Sequence, residues 1–214
     1  MLSDYAAIKN GSYGKLMKAY YAKQDAEKLS GKGDTSQKLT LMKTSADSLK
    51  KSADALNDSS LWEKKKIKKK DEKTGEEIEV EDYDWDKITK AVKSFVEDYN
   101  DVVKEAGESN TKDVLRNASW MTGMTDKNSN MLAKIGITIG KGNKLELDED
   151  ALKQADISSL KTVFTGYNSF VSKISQKATC ISNAANRASA TYTNNGTYSK
   201  TDSSLTSSKI DKEV

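Results

Sequence analysis

None of the 214 residues of this chain is a histidine. That removes imidazole general bases, Ser-His and Cys-His dyads and the commonest transition-metal ligand together. Proline is absent too, and cysteine occurs once, at Cys180. One thiol cannot close a disulfide within the chain. Hydrophobic residues make up 36% and aromatic residues 7%, low for a compact globule. No apolar run approaches a membrane span, and the Met1 end lacks the apolar core of a cleaved signal peptide. Nor does charge of one sign prevail. Thirty-five basic residues against 32 acidic ones leave +3, too little to steer the chain toward nucleic acid or lipid.

What is present is charge of both signs, 31% of residues, with Lys, Asp and Ala abundant and no proline to interrupt them. This composition points to long helices whose apolar residues form narrow seams. Three such seams stand out. Leu39, Met42, Ala46, Leu49, Ala53 and Leu56 alternate steps of three and four, with Asn57 to Ser60 ending the segment. Trp85, Ile88, Val92, Phe95, Tyr99, Val102 and Ala106 do the same, and Gly107 follows as a C-terminal glycine. Tyr167, Val171, Ile174, Ala178, Ile181, Ala185, Ala188 and Tyr192 make the third, stopped by Asn194-Asn195-Gly196. Helices packed along their length at shallow angles use such seams, so Trp85, Phe95, Tyr99 and Tyr167 are expected to fill the core. A further helix between Ser3 and Leu29, interrupted by Gly11 and Gly14, is expected to begin near Tyr13. Gly31 and Gly33 then form a turn, with Asp34, Thr35 or Ser36 as the next cap.

Between the first two seams, Lys64-Lys65-Lys66-Ile67-Lys68-Lys69-Lys70 is followed by Glu76-Glu77-Ile78-Glu79-Val80-Glu81-Asp82. Folded around 71–75 so that paired numbers sum to 147, Lys66 meets Glu81, Lys68 meets Glu79, Lys70 meets Glu77, Ile67 meets Val80 and Trp62 meets Trp85. Each complementary pair contributes about 0.2–1 kcal/mol. A charged β-hairpin is the expected form. A charged loop without fixed structure and a phosphate-binding arm are the alternatives, and the neighbouring acids count against the second.

The stretch from Met131 to Leu152 reads as a second hairpin. Strands Ile135–Ile139 and Lys144–Leu147 flank a Gly140/Gly142 turn, and a helix starts behind Asp148 with Glu149 and Asp150 in its first turn. Gly136 to Gly142 only faintly echoes a phosphate loop, with three residues between Gly136 and Gly140 and Gly142 where a hydroxyl would hold magnesium. Asp126 to Asn130 resembles the start of a calcium loop. Its sixth position is Met131 rather than glycine, and its twelfth is Ile137 rather than glutamate. Cys180, one residue before a seam position, reads as a small apolar residue. No catalytic, cofactor-binding or metal-binding residue is assigned, and no cofactor is expected.

The run Ile88 to Val103, with Val92, Phe95-Val96 and Tyr99-Asn100, resembles a helix of the flagellar hook-associated protein 2 family, the filament caps, which carry a similar valine, phenylalanine-valine, tyrosine-asparagine pattern. Further on, Leu132 to Thr138, the glycine turn, Leu145 to Leu152 and Val163-Phe164 are similar to the same family's carboxy-terminal conserved region. The resemblance spans roughly 86–164. It implies a helical-bundle domain with a small hairpin, export without a cleaved signal, and assembly by protein–protein contacts, with no catalytic residue or cofactor.

The expected architecture is therefore mainly α: an elongated antiparallel helical bundle with small hairpins near 62–85 and 135–147. Residues 1–198 are expected to form one domain, with the charged hairpin inserted at 62–85, and 199–214 a disordered tail. The expected role is structural, in a flagellar or cell-surface assembly outside the cytoplasm. The partners would be other copies of the chain or flagellar filament or hook proteins, and not nucleic acid, membrane or a small-molecule substrate. A cytoplasmic adaptor or export chaperone binding a single partner is the alternative. An enzyme would need carboxylate-only chemistry, and no two acids are convincingly paired for it.

Overall fold

A computed structural model describes residues 33–70 and 77–191. The expected helix at 3–29, the turn at 71–75, the stop at 194–196 and the tail at 199–214 lie outside the described residues.

Helix α1 (Ser36–Asn57) starts behind Thr35, whose hydroxyl accepts a hydrogen bond from the Lys38 N–H at 3.3 Å. That satisfies one of the amides that a helix start leaves without a partner. Its buried residues are Leu39, Met42, Ala46, Leu49, Ala53 and Leu56, the first seam in full. A short 3₁₀ turn, Ser59–Trp62, leads into strand β1 (Lys65–Lys70), which pairs antiparallel with β2 (Glu77–Asp82). The register runs from Lys65 opposite Asp82 to Lys70 opposite Glu77, as charge complementarity requires.

The expected Trp62–Trp85 pairing does not form. Strand pairing ends at Lys65 and Asp82, and Trp62 turns into the bundle instead. There it stacks on Phe164 at 5.5 Å and donates from its indole N–H to the Leu56 carbonyl at 2.8 Å. Burial and a satisfied N–H together outweigh a surface aromatic pair.

Helix α2 (Trp85–Glu108) begins behind Asp84, which accepts from the Lys87 N–H. The seam positions from Ile88 to Ala106 are buried, but so are Thr89, Val96 and Val103, so this face is broader than a heptad seam. Trp85 is only partly buried and packs edge-on to Tyr83 at 6.4 Å, because it sits at the helix's first residue where the core ends. The helix passes Gly107 and ends one residue later.

Helix α3 (Lys112–Lys127) and the short α4 (Ser129–Ala133) follow, then strands β3 (Ile137–Ile139) and β4 (Leu145–Leu147). β3 begins two residues later than expected, because Gly136 takes φ +78°, which no extended strand allows. Helices α5 (Glu149–Gln154), α6 (Ile157–Phe164) and α7 (Phe170–Thr191) complete the described chain.

Tyr167 does not open α7. Gly166 at φ +98° turns the backbone, the Ser169 side chain accepts from the Ser172 N–H at 3.1 Å, and Tyr167 is left 81% exposed. From Val171 to Ala185 the third seam is buried.

Helix α1 packs between α7 and α2, and α3 covers the other side of α7. Asp47 accepts from the Ser182 hydroxyl and Asp54 from the Ser175 hydroxyl, both at 2.6 Å. Seven residues up α1 thus correspond to seven residues down α7, so the two helices are antiparallel. Lys38 Nζ donates to the Glu108 carbonyl at 3.2 Å, which sets α1 antiparallel to α2 as well. At the centre, Phe95 meets Tyr99, Phe164 and Phe170 with ring centroids 6.3–6.5 Å apart. Fully burying such side chains contributes about 1.5–3 kcal/mol each.

Candidate interaction surface

The bundle's ends are fastened by single polar side chains. Asp34, buried ahead of α1, accepts from the Ser109 and Thr111 hydroxyls at 2.7 Å and from the Asn110 and Thr111 amides at 2.9 Å. One carboxylate thereby closes the α2–α3 turn onto the start of α1. At the opposite end, the Asn57 side chain accepts from the Gly166 N–H at 2.8 Å.

The β3–β4 corner is held in the same way. Asn100 of α2 donates through its amide to the Leu145 carbonyl at 2.9 Å and accepts from the Leu145 N–H at 2.7 Å. Gly136 is wedged beneath: a Cβ there would lie 2.6 Å from the Asp148 carbonyl oxygen and 2.9 Å from the Leu152 nitrogen. Tyr99, next to Asn100 in the motif, is buried and donates to the Thr125 hydroxyl at 2.9 Å. Burial pushes its phenol up, with the Thr125 hydrogen bond pulling the other way.

The motifs weighed from sequence are absorbed by this architecture. The amides of Gly136 and Gly140 point at the chain's own carbonyls, those of Ala133 and Lys144, so they form no phosphate cradle. Asp126 and Lys127 end α3, and residues 129–133 are helical, so the calcium-loop echo has no loop. Asp148 caps α5 by accepting from the Asp150 and Ala151 amides, and Glu149 pairs with Lys93 at 3.2 Å. Among the described residues, no group of three or more His, Cys, Asp or Glu side chains could hold a metal ion. Cys180 departs from expectation: it is exposed on α7, because its position turns away from the Ala178–Ile181 seam.

What remains is surface. Trp120 of α3 is 43% exposed, with Lys177 of α7 4.4 Å above its ring. Lys177 also reaches Asn117 at 3.4 Å, and Arg187 reaches Asp113 at 3.8 Å. The α3–α7 face therefore presents a tryptophan braced by a cation and ringed by polar side chains. Trp120 lies on none of the three seams, and only its size marks it in the sequence.

Residues 109–213 match the family model described as flagellar hook-associated protein 2 C-terminus. Over those residues the chain is similar to the flagellar hook-associated protein 2 family, in line with the resemblance. The match begins at the α2–α3 turn and takes in Trp120, the β3–β4 corner and α7. It reaches past the region in which the resemblance was legible, which stopped near Phe164, and it starts after the Ile88–Val103 run. Helix α1, the charged hairpin and α2 precede the matched residues. No curated protein and no solved structure matches the chain. The flagellar hook-associated protein 2 family is a structural one of the flagellum. Among the described residues no helix is long and apolar enough to cross a membrane.

Proposed function

We propose that this chain is a structural component of a flagellar or cell-surface assembly, working through protein–protein contacts and not through catalysis. The observation that carries the reading is the family match, which begins at the α2–α3 turn and includes both helices of the Trp120 face. A large, half-exposed aromatic with a cation over it suits an interface anchor, since tryptophan is over-represented where partners bury area. The polar ties at both ends of the bundle suit a part that must keep its shape in an assembly. Its partners are other copies of itself or filament or hook subunits, and it acts outside the cytoplasm. The described helices act as one domain, with the charged hairpin inserted between α1 and α2.

The test is fractionation. In cells with a working flagellar export system, a tagged chain is expected in the medium and in sheared filaments, and an export-defective strain should retain it. A chain that stays cytosolic with a single soluble partner would instead be an adaptor or chaperone, and the proposal would fall.

A further inference from the structure

The charged hairpin lies outside the matched residues, and its two edges differ in chemistry. Five of the six residues of β1 are lysine, and four of the six of β2 are acidic. Among the described residues each strand pairs only with the other, so each keeps one open edge of backbone N–H and C=O groups. The side chains of Lys66, Lys68, Glu77, Glu79 and Glu81 are exposed. A lone two-stranded hairpin is marginal in water, and a third strand would relieve that.

We infer that copies of this chain associate edge to edge through this hairpin, the lysine edge of β1 in one copy pairing with the acidic edge of β2 in the next. The inference deepens the assembly reading and rests on its self-association. Charge decides the geometry. A two-fold contact would set lysine strand against lysine strand, or acid against acid, and like charges directly opposite are destabilising. Only β1 against a neighbour's β2 is attractive, so the contact is head to tail and every copy faces the same way.

The register that makes the hairpin complementary within one chain makes the contact complementary between chains. Lys66 meets a neighbour's Glu81, Lys68 its Glu79, and the half-buried Ile67 its Val80. Lysine on an open edge ordinarily blocks pairing with other strands. An acidic strand is the partner that lifts this block, which gives the edge selectivity for its own kind. The hairpin's base is fixed to the bundle: Trp62 is stacked on Phe164, and the Tyr83 ring lies under Lys64 and Lys161 at 5.8 and 6.0 Å. An edge contact is therefore transmitted to the helices.

The test uses the full chain and a version with the three charged pairs exchanged, K66E/K68E/K70E with E77K/E79K/E81K. Exchange keeps each hairpin complementary within itself, so both proteins fold and each associates with its own copies. Between the two kinds, either edge contact sets three like-charge pairs opposite each other. Differently labelled proteins are mixed and their oligomers counted by native mass spectrometry. Mixed oligomers are expected at least ~10-fold below the statistical proportion, and raising salt from ~50 to ~500 mM should weaken like-with-like association by about the same factor. Mixed oligomers at statistical frequency, or monomers at every concentration, would overturn the inference. Because filament localisation is measured separately, such a failure leaves the assembly reading to its own test.

Discussion

The Asn100 side-chain amide reads the backbone of Leu145 as a neighbouring strand would, donating to its carbonyl at 2.9 Å and accepting from its N–H at 2.7 Å. The two residues are 45 apart in sequence, so this clamp fixes the β3–β4 corner to α2. Asn100→Ala leaves both Leu145 groups without that partner and should cost about 1–3 kcal/mol. Asn100→Asp keeps the acceptor but sets a carboxylate oxygen against the Leu145 carbonyl oxygen, so its loss should be larger at neutral pH. Urea denaturation measures both, and hydrogen exchange should show residues 137–147 opening first. Equal losses for the two variants would argue against the two-bond account.

Gly136 and Gly142 both take positive φ, +78° and +71°, but only Gly136 is enclosed. An alanine at Gly142 meets nothing within 4 Å and should cost about 1 kcal/mol from backbone strain alone. An alanine at Gly136 adds collision with two backbone atoms, which cannot give way as a flexible side chain does. Thermal denaturation should separate the two by well over ~1 kcal/mol, with overpacking supplying the excess.

The α1–α7 ties make stability sensitive to acid. Burial disfavours ionisation at Asp47 and Asp54, but hydrogen bonds from Lys43 and Ser182 at the first, and from Lys50 and Ser175 at the second, outweigh it. Both carboxyls are held below their ordinary 3.8. A depressed pKa contributes stability that is present above 3.8 and lost as pH falls through the folded-state value. The double variant Ser175→Ala, Ser182→Ala should be less stable at pH 7 and lose less on acidification between about pH 5 and pH 2. Parallel pH profiles for the two proteins would contradict this.

Asp98 behaves in the opposite sense. Burial pushes its carboxyl up against a hydrogen bond with Ser52, with Asp101 and Glu97 adding repulsion. Its charge is therefore a cost to the folded state at neutral pH, and protonation removes that cost. Asp98→Asn should raise the melting temperature at pH 7, with the gain shrinking as pH falls through the carboxyl's own titration. A variant less stable than the parent at pH 7 would show that the carboxylate's bonds outweigh its desolvation.

Trp120→Ala should change stability by less than about 1 kcal/mol, because nearly half the side chain is already exposed. Its effect should fall on association: the variant is expected to be exported and folded but depleted from filaments at least ~10-fold, as for an interface anchor. Normal incorporation would move the interface elsewhere.

Heptad spacing made the bundle legible, because a residue such as Leu49 or Val92 can satisfy its step of three or four only on a buried stripe. Charge made the β1–β2 register legible, since a one-residue slip sets Lys against Val and Ile against Glu. Boundaries were harder to read. Tyr167 continues the arithmetic of the third seam, and only the left-handed Gly166 shows that the helix has not yet begun. Cys180 neighbours a seam residue but turns outward. Helix α3 buries Val114, Leu115, Ala118 and Met121 among serines and threonines, too mixed a pattern to stand out as a seam. Trp120 was not legible as a surface feature, because its exposure depends on where α7 lies.

The role proposed for this protein is that of a built-in part of a surface assembly. Immunogold electron microscopy of cells carrying an epitope-tagged chain tests it most directly. Gold is expected on the flagellar filament or its attachment, and inside the cell in an export-defective strain. Gold confined to the cytoplasm of cells with normal filaments would contradict it.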